Sequence, residues 1–145
     1  MITVRDLEDE DIEQLLVIEN ESFSLPWSRD SFREAIEDEN ARYIVVLDDD
    51  ILCGYLGMWY GGDESEITNV AIGSEHRGKG YSHHLLSEAE RMARKEGITK
   101  LFLEVRESNT VAKSLYKGHG FTEIGIRKNF YVKPCEDGIV LKKKI

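Results

Sequence analysis

Cysteine is scarce in this chain. Cys53 and Cys135 are the only two, too few and too far apart for a disulfide framework or a cysteine-ligated metal site, so both are expected to be ordinary reduced thiols. Long apolar runs are missing as well: no stretch approaches the roughly 20 residues a membrane helix needs, and no membrane partner is expected. Met1-Ile2-Thr3-Val4-Arg5 passes directly into acidic sequence without the apolar stretch of a signal peptide, which makes the cytoplasm the expected location. Internal repeats, low-complexity tracts and linkers are absent. Basic residues are in the minority, 19 Lys and Arg against 28 Asp and Glu for a formal net charge of −9, and that sign disfavours direct binding of nucleic acid.

What is present fits one globular domain over residues 1–145, 41% hydrophobic and 32% charged, long enough for a single substantial core. Its charge is unevenly spread. Residues 1–66 hold 19 acidic against 4 basic side chains, whereas residues 67–145 hold 9 against 15. An acidic half suits a cationic partner and a basic half an anionic ligand, although solvated helix faces and loop tips account for most of the carboxylates.

Hydrophobic spacing gives the order of elements. A short strand opens at Val4; Ile12, Leu15, Leu16, Ile18 and Glu19 to Phe23 follow helical spacing and give a first helix that ends near Ser22. Ser24-Leu25-Pro26-Trp27 reads as a loop, because Pro26 holds Leu25 out of the helical region. Ser28 is a plausible N-cap for a second helix, Arg29 to Glu37. The β-rich runs 43–47 and 51–60 form a hairpin around Asp48-Asp49-Asp50, whose carboxylates read as a solvated turn rather than a metal site. Strands follow at 65–72 and 99–106, separated by a long helix that ends at Gly97. Ser108 or Asn109 caps a shorter helix that Gly118-His119-Gly120 stops. Strands 121–127 and 138–142 complete the set, joined by a turn at 134–137.

The most informative stretch is 67–90. The alternation Ile67-Thr68-Asn69-Val70-Ala71-Ile72 breaks into Gly73-Ser74-Glu75-His76, then Arg77-Gly78-Lys79-Gly80-Tyr81-Ser82, and a helical pattern opens with His83-His84-Leu85-Leu86. Strand, glycine turn and helix in that order build an anion site, since closely spaced glycines let successive N–H groups converge and the helix adds its own unpaired donors. A pyrophosphate suits such a nest. The turn lacks the earlier glycine and the hydroxyl residue of a P-loop, and it lacks the third glycine of the dinucleotide fingerprint. An ordinary strand-to-helix turn with a solvated basic surface is the alternative.

This turn resembles the Gln/Arg-x-x-Gly-x-Gly/Ala signature of the GCN5-related N-acetyltransferases, with Ser82 standing where Gly or Ala is usual. The likeness extends through Leu103-Glu104-Val105-Arg106-Glu107-Ser108-Asn109, Ala112, Leu115-Tyr116, Gly120-Phe121 and Arg127-Lys128-Asn129-Phe130-Tyr131, with Phe23-Ser24-Leu25-Pro26-Trp27-Ser28 near the start. It is strongest toward the branch of ribosomal-protein alanine N-acetyltransferases and covers nearly the whole chain.

The resemblance implies an α/β (α+β) fold, a mixed central sheet of about seven strands flanked by about four helices, with acetyl-CoA as cosubstrate and no metal. It implies that Arg77, Gly78, Lys79, Gly80, Tyr81, Ser82 and His83 hold the pyrophosphate, and that Val70, Ala71 and Ile72 lie against the pantetheine arm with an N–H positioned to polarise the acetyl carbonyl. Asn109 matches a cofactor-contacting position and is equally readable as a helix cap. Glu104, which in isolation reads as a solvent-facing strand carboxylate, matches the family's general base; Tyr116, in isolation a core aromatic, matches its general acid. Leu25, Pro26 and Trp27 are the candidate acceptor contacts. The implied reaction is direct acetyl transfer in a ternary complex to the N-terminal alanine of a basic ribosomal protein, that of small-subunit protein eighteen. A lysine side chain or small amine as acceptor, and a non-catalytic acyl-CoA-binding role, are the alternatives. The sequence leaves the oligomeric state open, a monomer included.

Overall fold

The most apolar stretches of the chain form its central hairpin. Ala41–Asp48 (β2) and Ile51–Gly61 (β3) are covered on both faces, as their near-continuous runs of large aliphatic and aromatic residues require. Asp49 and Asp50 close the hairpin with φ of 48° and 68°, a two-residue loop of the kind that matches strand twist. The computed structural model describes residues 1–23 and 25–145. Around the hairpin stand Ile2–Asp6 (β1), Ile12–Ser22 (α1), Arg29–Glu37 (α2), Glu64–Ile72 (β4), Tyr81–Lys95 (α3), Lys100–Arg106 (β5), Thr110–Gly118 (α4), Thr122–Tyr131 (β6) and Glu136–Lys144 (β7), with single 3-10 turns at Asp9–Asp11 and Ser74–His76. The seven strands make one mixed sheet in the order β1-β2-β3-β4-β5-β7-β6. Every neighbouring pair is antiparallel except β4 and β5.

Each face of the sheet buries its own cluster. On one side Leu85, Ala89 and Ala93 of α3 and Tyr116 of α4 pack on Leu56, Met58, Leu101 and Leu141. On the other, Ile12, Leu15 and Ile18 of α1 and Phe32 of α2 pack on Tyr43, Val45 and Tyr55. Gly57 has a steric reason to be glycine: a Cβ there would sit 2.3 Å from the Tyr43 ring, which lies across the strand.

Several boundaries differ from the sequence reading: β2 starts earlier, at Ala41, and β7 starts at Glu136, inside the expected 134–137 turn, and runs to Lys144. α3 begins at Tyr81 rather than His83, because Tyr81 continues the buried Leu85 and Ala89 stripe and its hydroxyl donates to Asp48 Oδ2 at 2.6 Å. α4 runs through Gly118, and the chain turns at Gly120 with φ 94°. β6 does not stop at Arg127 but continues to Tyr131 across a register shift, with Asn129 at φ 54° bulging outward and its N–H donating to Asp137 Oδ1 at 2.9 Å. Of the loop expected over 24–27, residue 24 lies outside the described residues, and Ser28 caps α2 by accepting from the Ser31 N–H.

Asp11 anchors the start of α1. Arg5 donates to both its oxygens, at 2.7 and 3.0 Å, and the Glu8 N–H adds a third bond at 2.9 Å. Burial works to raise the Asp11 pKa, but the Arg5 and Glu8 bonds outweigh it and hold the carboxyl below its usual range. Its stabilisation is therefore present above the unfolded-state pKa and disappears as pH falls through the lower folded value. Asp11→Ala is expected to lower stability at neutral pH by about 2 kcal/mol, since it removes three charge-assisted bonds from a mostly buried group. Urea denaturation should show the deficit shrinking in strong acid.

Candidate active site

The sheet opens where its one parallel pair ends. β4 and β5 are in register from Glu64↔Lys100 to Ile67↔Leu103, and pairing stops there. On the opposite edge β4 stays paired with β3 up to Ile72↔Gly54, with a bulge: Gly57 faces Asn69 and Met58 faces Ile67, so Thr68 is the extra residue. A bulge bends its strand and increases local twist, and this one steers residues 68–72 away from β5. The β5-facing edge of Val70, Ala71 and Ile72 is thereby left unpaired with its neighbour, as pantetheine pairing would require. A cleft of about 1180 Å³ fills the divergence.

One end of the cleft is the glycine turn. Gly78 and Gly80 have φ of 77° and 82°, and neither would bring a Cβ within 4 Å of anything. Glycine is needed here for backbone conformation, and its open side leaves the main chain approachable. Gly80 is the residue before the first turn of α3; the His83 N–H donates to the Gly80 carbonyl at 3.2 Å, which leaves the N–H groups of Tyr81 and Ser82 as that turn's donors for a ligand. Arg77 serves the turn's shape: Nε donates to the Ile72 carbonyl at 3.1 Å, and Nη2 reaches Ser22 Oγ at 3.4 Å. Tyr81 borders the cleft while its ring is committed to the core. Ser82 and His83 also line it; Lys79 is not among the lining residues.

The middle of the cleft brings Glu104 and Tyr116 to the same space. Glu104 is on β5, just past the last β4–β5 pair, with its side chain nine-tenths buried. Oε1 meets Arg127 Nε at 3.2 Å, whereas Oε2 is buried with no hydrogen-bond partner among the described residues. Burial raises its pKa, opposed by Arg127 and assisted by Glu66. Tyr116 packs its ring edge-on to Phe121 at 6.0 Å, and burial, helped by Tyr131, pushes its hydroxyl up to about 12. Asn109 lines the cleft and caps α4, its Oδ1 accepting from the Ala112 N–H at 3.1 Å.

A further part of the lining comes from between α1 and α2. Leu25 and Trp27 line the cleft and Pro26 does not. Trp27 is wedged between Phe32 and Tyr43, ring centroids 5.4 and 5.7 Å away. Two contributors escaped the sequence reading. The end of the β6–β7 hairpin, Phe130 to Pro134, borders the cleft, and its apolar residues beyond Arg127 were the available signal. Glu19 also lines it, at 1% exposure; its place four residues after Leu15, on the buried face of α1, was the available signal.

The chain is similar in sequence and fold to known proteins. The model of the acetyltransferase (GNAT) family matches residues 12–121. A candidate ribosomal protein bS18-alanine N-acetyltransferase of Bacillus subtilis is 40% identical over 139 residues, covering 95% of this chain and 92% of that protein. The ribosomal protein bS18-alanine N-acetyltransferase of Haemophilus influenzae is 32% identical over 146 residues, with 97% of each covered. The crystal structure of the ribosomal-protein-S18-alanine N-acetyltransferase from Escherichia coli superposes with a TM-score of 0.91 at 28% identity, covering 100% of this chain and 94% of that one.

Proposed function

This chain belongs to the acetyltransferase (GNAT) family, and on that premise we propose that it moves the acetyl group of acetyl-CoA to the α-amino group of an N-terminal alanine, that of ribosomal protein bS18. Relatives named for that activity cover nearly the whole chain. The observation that carries the reading is the unpaired edge of β4 running from the glycine turn to the carboxylate of Glu104. Among the described residues no group of three His, Cys, Asp or Glu could hold a metal ion, and no helix is long and apolar enough to cross a membrane.

Acetyl-CoA supplies an activated thioester. The main chain of the turn from Arg77 to His83, without the Lys79 side chain, holds its pyrophosphate, and Val70, Ala71 and Ile72 present main-chain groups to the arm and the acetyl carbonyl. Asn109 adds a side chain at the α4 end. Glu104, whose Oε2 has no hydrogen-bond partner among the described residues, accepts the proton of the incoming ammonium, directly or through water; Tyr116 gives a proton to the departing sulfur. Leu25 and Trp27 line the acceptor's approach, and the 19 acidic residues of the first 66 favour a basic polypeptide there.

The test is incubation of the purified protein with acetyl-CoA and synthetic peptides that begin with alanine, with basic or neutral residues following, read by mass spectrometry. Acetylation at the α-amino group, faster for the basic peptide, is the expected result. Modification of lysine side chains alone, or no transfer at all, would overturn the assignment. The turn has its own test. Gly80→Val puts a β-branched residue at φ 82°, which costs about 1–2 kcal/mol locally. Coenzyme A binding by calorimetry should weaken at least about tenfold.

A further inference from the structure

Glu19 is a carboxylate in an expensive place. It sits in the last turns of α1 at 1% exposure, where an apolar residue of similar size would pack at lower cost. Among the described residues no basic side chain is a hydrogen-bond partner of it. Its oxygens are instead divided between two neutral donors from different parts of the fold. Oε1 accepts the main-chain N–H of Trp27 at 3.1 Å, and Oε2 accepts the hydroxyl of Tyr55, a fully buried residue of β3.

The chain of bonds continues from Tyr55 into β4. Asn69 Nδ2 donates to the Tyr55 hydroxyl at 3.4 Å, and Asn69 Oδ1 accepts from Tyr43 OH at 3.2 Å and Thr68 Oγ1 at 2.7 Å. Thr68 and Asn69 are the bulge residues at which β4 leaves β5. One buried network thus ties the segment between α1 and α2 to the point where the cleft begins. Leu25, in the same segment, is 56% exposed.

We propose that Glu19 is a positioning residue for the acceptor, fixing the Leu25–Trp27 wall against the β4 bulge and so setting the width of the cleft where the amine arrives. This rests on the acetyl-transfer reading above. The same helical turn is bonded separately to the cofactor end, where Glu21 accepts from the Ser74 N–H at 2.7 Å and from Ser74 Oγ at 3.1 Å, and Ser22 meets Arg77. Substitutions at 19 and at 21 should therefore act on different substrates.

Glu19→Gln retains the shape but leaves one of the two donors without an acceptor. It is expected to raise the KM for an alanine-initiated peptide about tenfold, the equivalent of one charge-assisted hydrogen bond, with kcat and the acetyl-CoA KM within about twofold. Tyr55→Phe keeps the packing and removes only the hydroxyl; it should shift peptide KM in the same direction by about threefold, and it decides the matter should the Glu19 variant not fold. Glu19→Asp, too short to reach both donors, should restore peptide KM only in part. Glu21→Gln should instead raise the acetyl-CoA KM. Amide hydrogen exchange at Trp27 reads the clamp without any substrate, and protection should fall in Glu19→Gln. A merely structural carboxylate would lower thermal stability in these variants while leaving peptide KM and the Trp27 amide unchanged, and that outcome would overturn the proposal. If the unaltered protein transfers no acetyl group, the functional reading fails, and unchanged Trp27 exchange would then overturn the clamp as well.

Discussion

Replacement of Glu104 by Gln is expected to lower kcat/KM for the peptide at neutral pH by at least about a hundredfold, the range over which a positioned base contributes. The shape of the pH profile is the sharper readout. A base works only when ionised, so activity should fall as pH drops through the Glu104 pKa, which burial lifts above its ordinary value of 4.5 against the pull of Arg127. Glutamine does not titrate, and that limb should vanish; an unchanged profile would reduce Glu104 to a structural carboxylate. Stability should move the other way. The folded state holds the Glu104 proton more tightly than the unfolded chain does, so ionisation costs stability as pH rises through the folded pKa. The variant should be at least as stable as the parent at pH 7 to 8, because Oε2 is buried without a partner among the described residues. Lower activity with undiminished thermal stability would separate catalysis from folding.

Tyr116→Phe should cut kcat about a hundredfold while the acetyl-CoA KM stays within about twofold. The hydroxyl, held up to about 12 by burial and by Tyr131, keeps its proton throughout the working range and can give it to a thiolate as that charge develops. Phenylalanine preserves the edge-on packing with Phe121, so circular dichroism and melting temperature should barely change. Stopped-flow release of coenzyme A is the measurement. Equal rates in the two proteins would remove Tyr116 from the reaction.

What the sequence disclosed and what it concealed divide along physical lines. The glycine turn, the strand before it and the helix after it are local features: positive φ, alternation and a 3.6-residue stripe are written within a few residues of where they act. The α2 cap at Ser28 and the hairpin at Asp48-Asp49-Asp50 were legible for the same reason. Non-local features were not. The bulge at Thr68 exists only as a mismatch between β3 and β4, and nothing in Ile67-Thr68-Asn69 announces it. The placement of β7 between β5 and β6 is a matter of topology. The exposed outer strand β6 was read too short because Lys128-Asn129-Phe130 interrupts alternation while pairing resumes at Tyr131. The face on which Glu19 lies follows from its spacing after Leu15, but its partners were concealed, since they come from β3 and the loop after α1.

Within the sheet, four residue pairs join β1 through β4 to the remaining three strands. The two blocks are thus stitched along less than half the length of β4, and a guest lodged between the lips would act as the missing thread. Occupancy should stiffen the whole assembly, slowing solvent exchange along both β4 and β5 at once. Saturating coenzyme A would then register as mechanical resistance to pulling the blocks apart, far from the atoms that it touches.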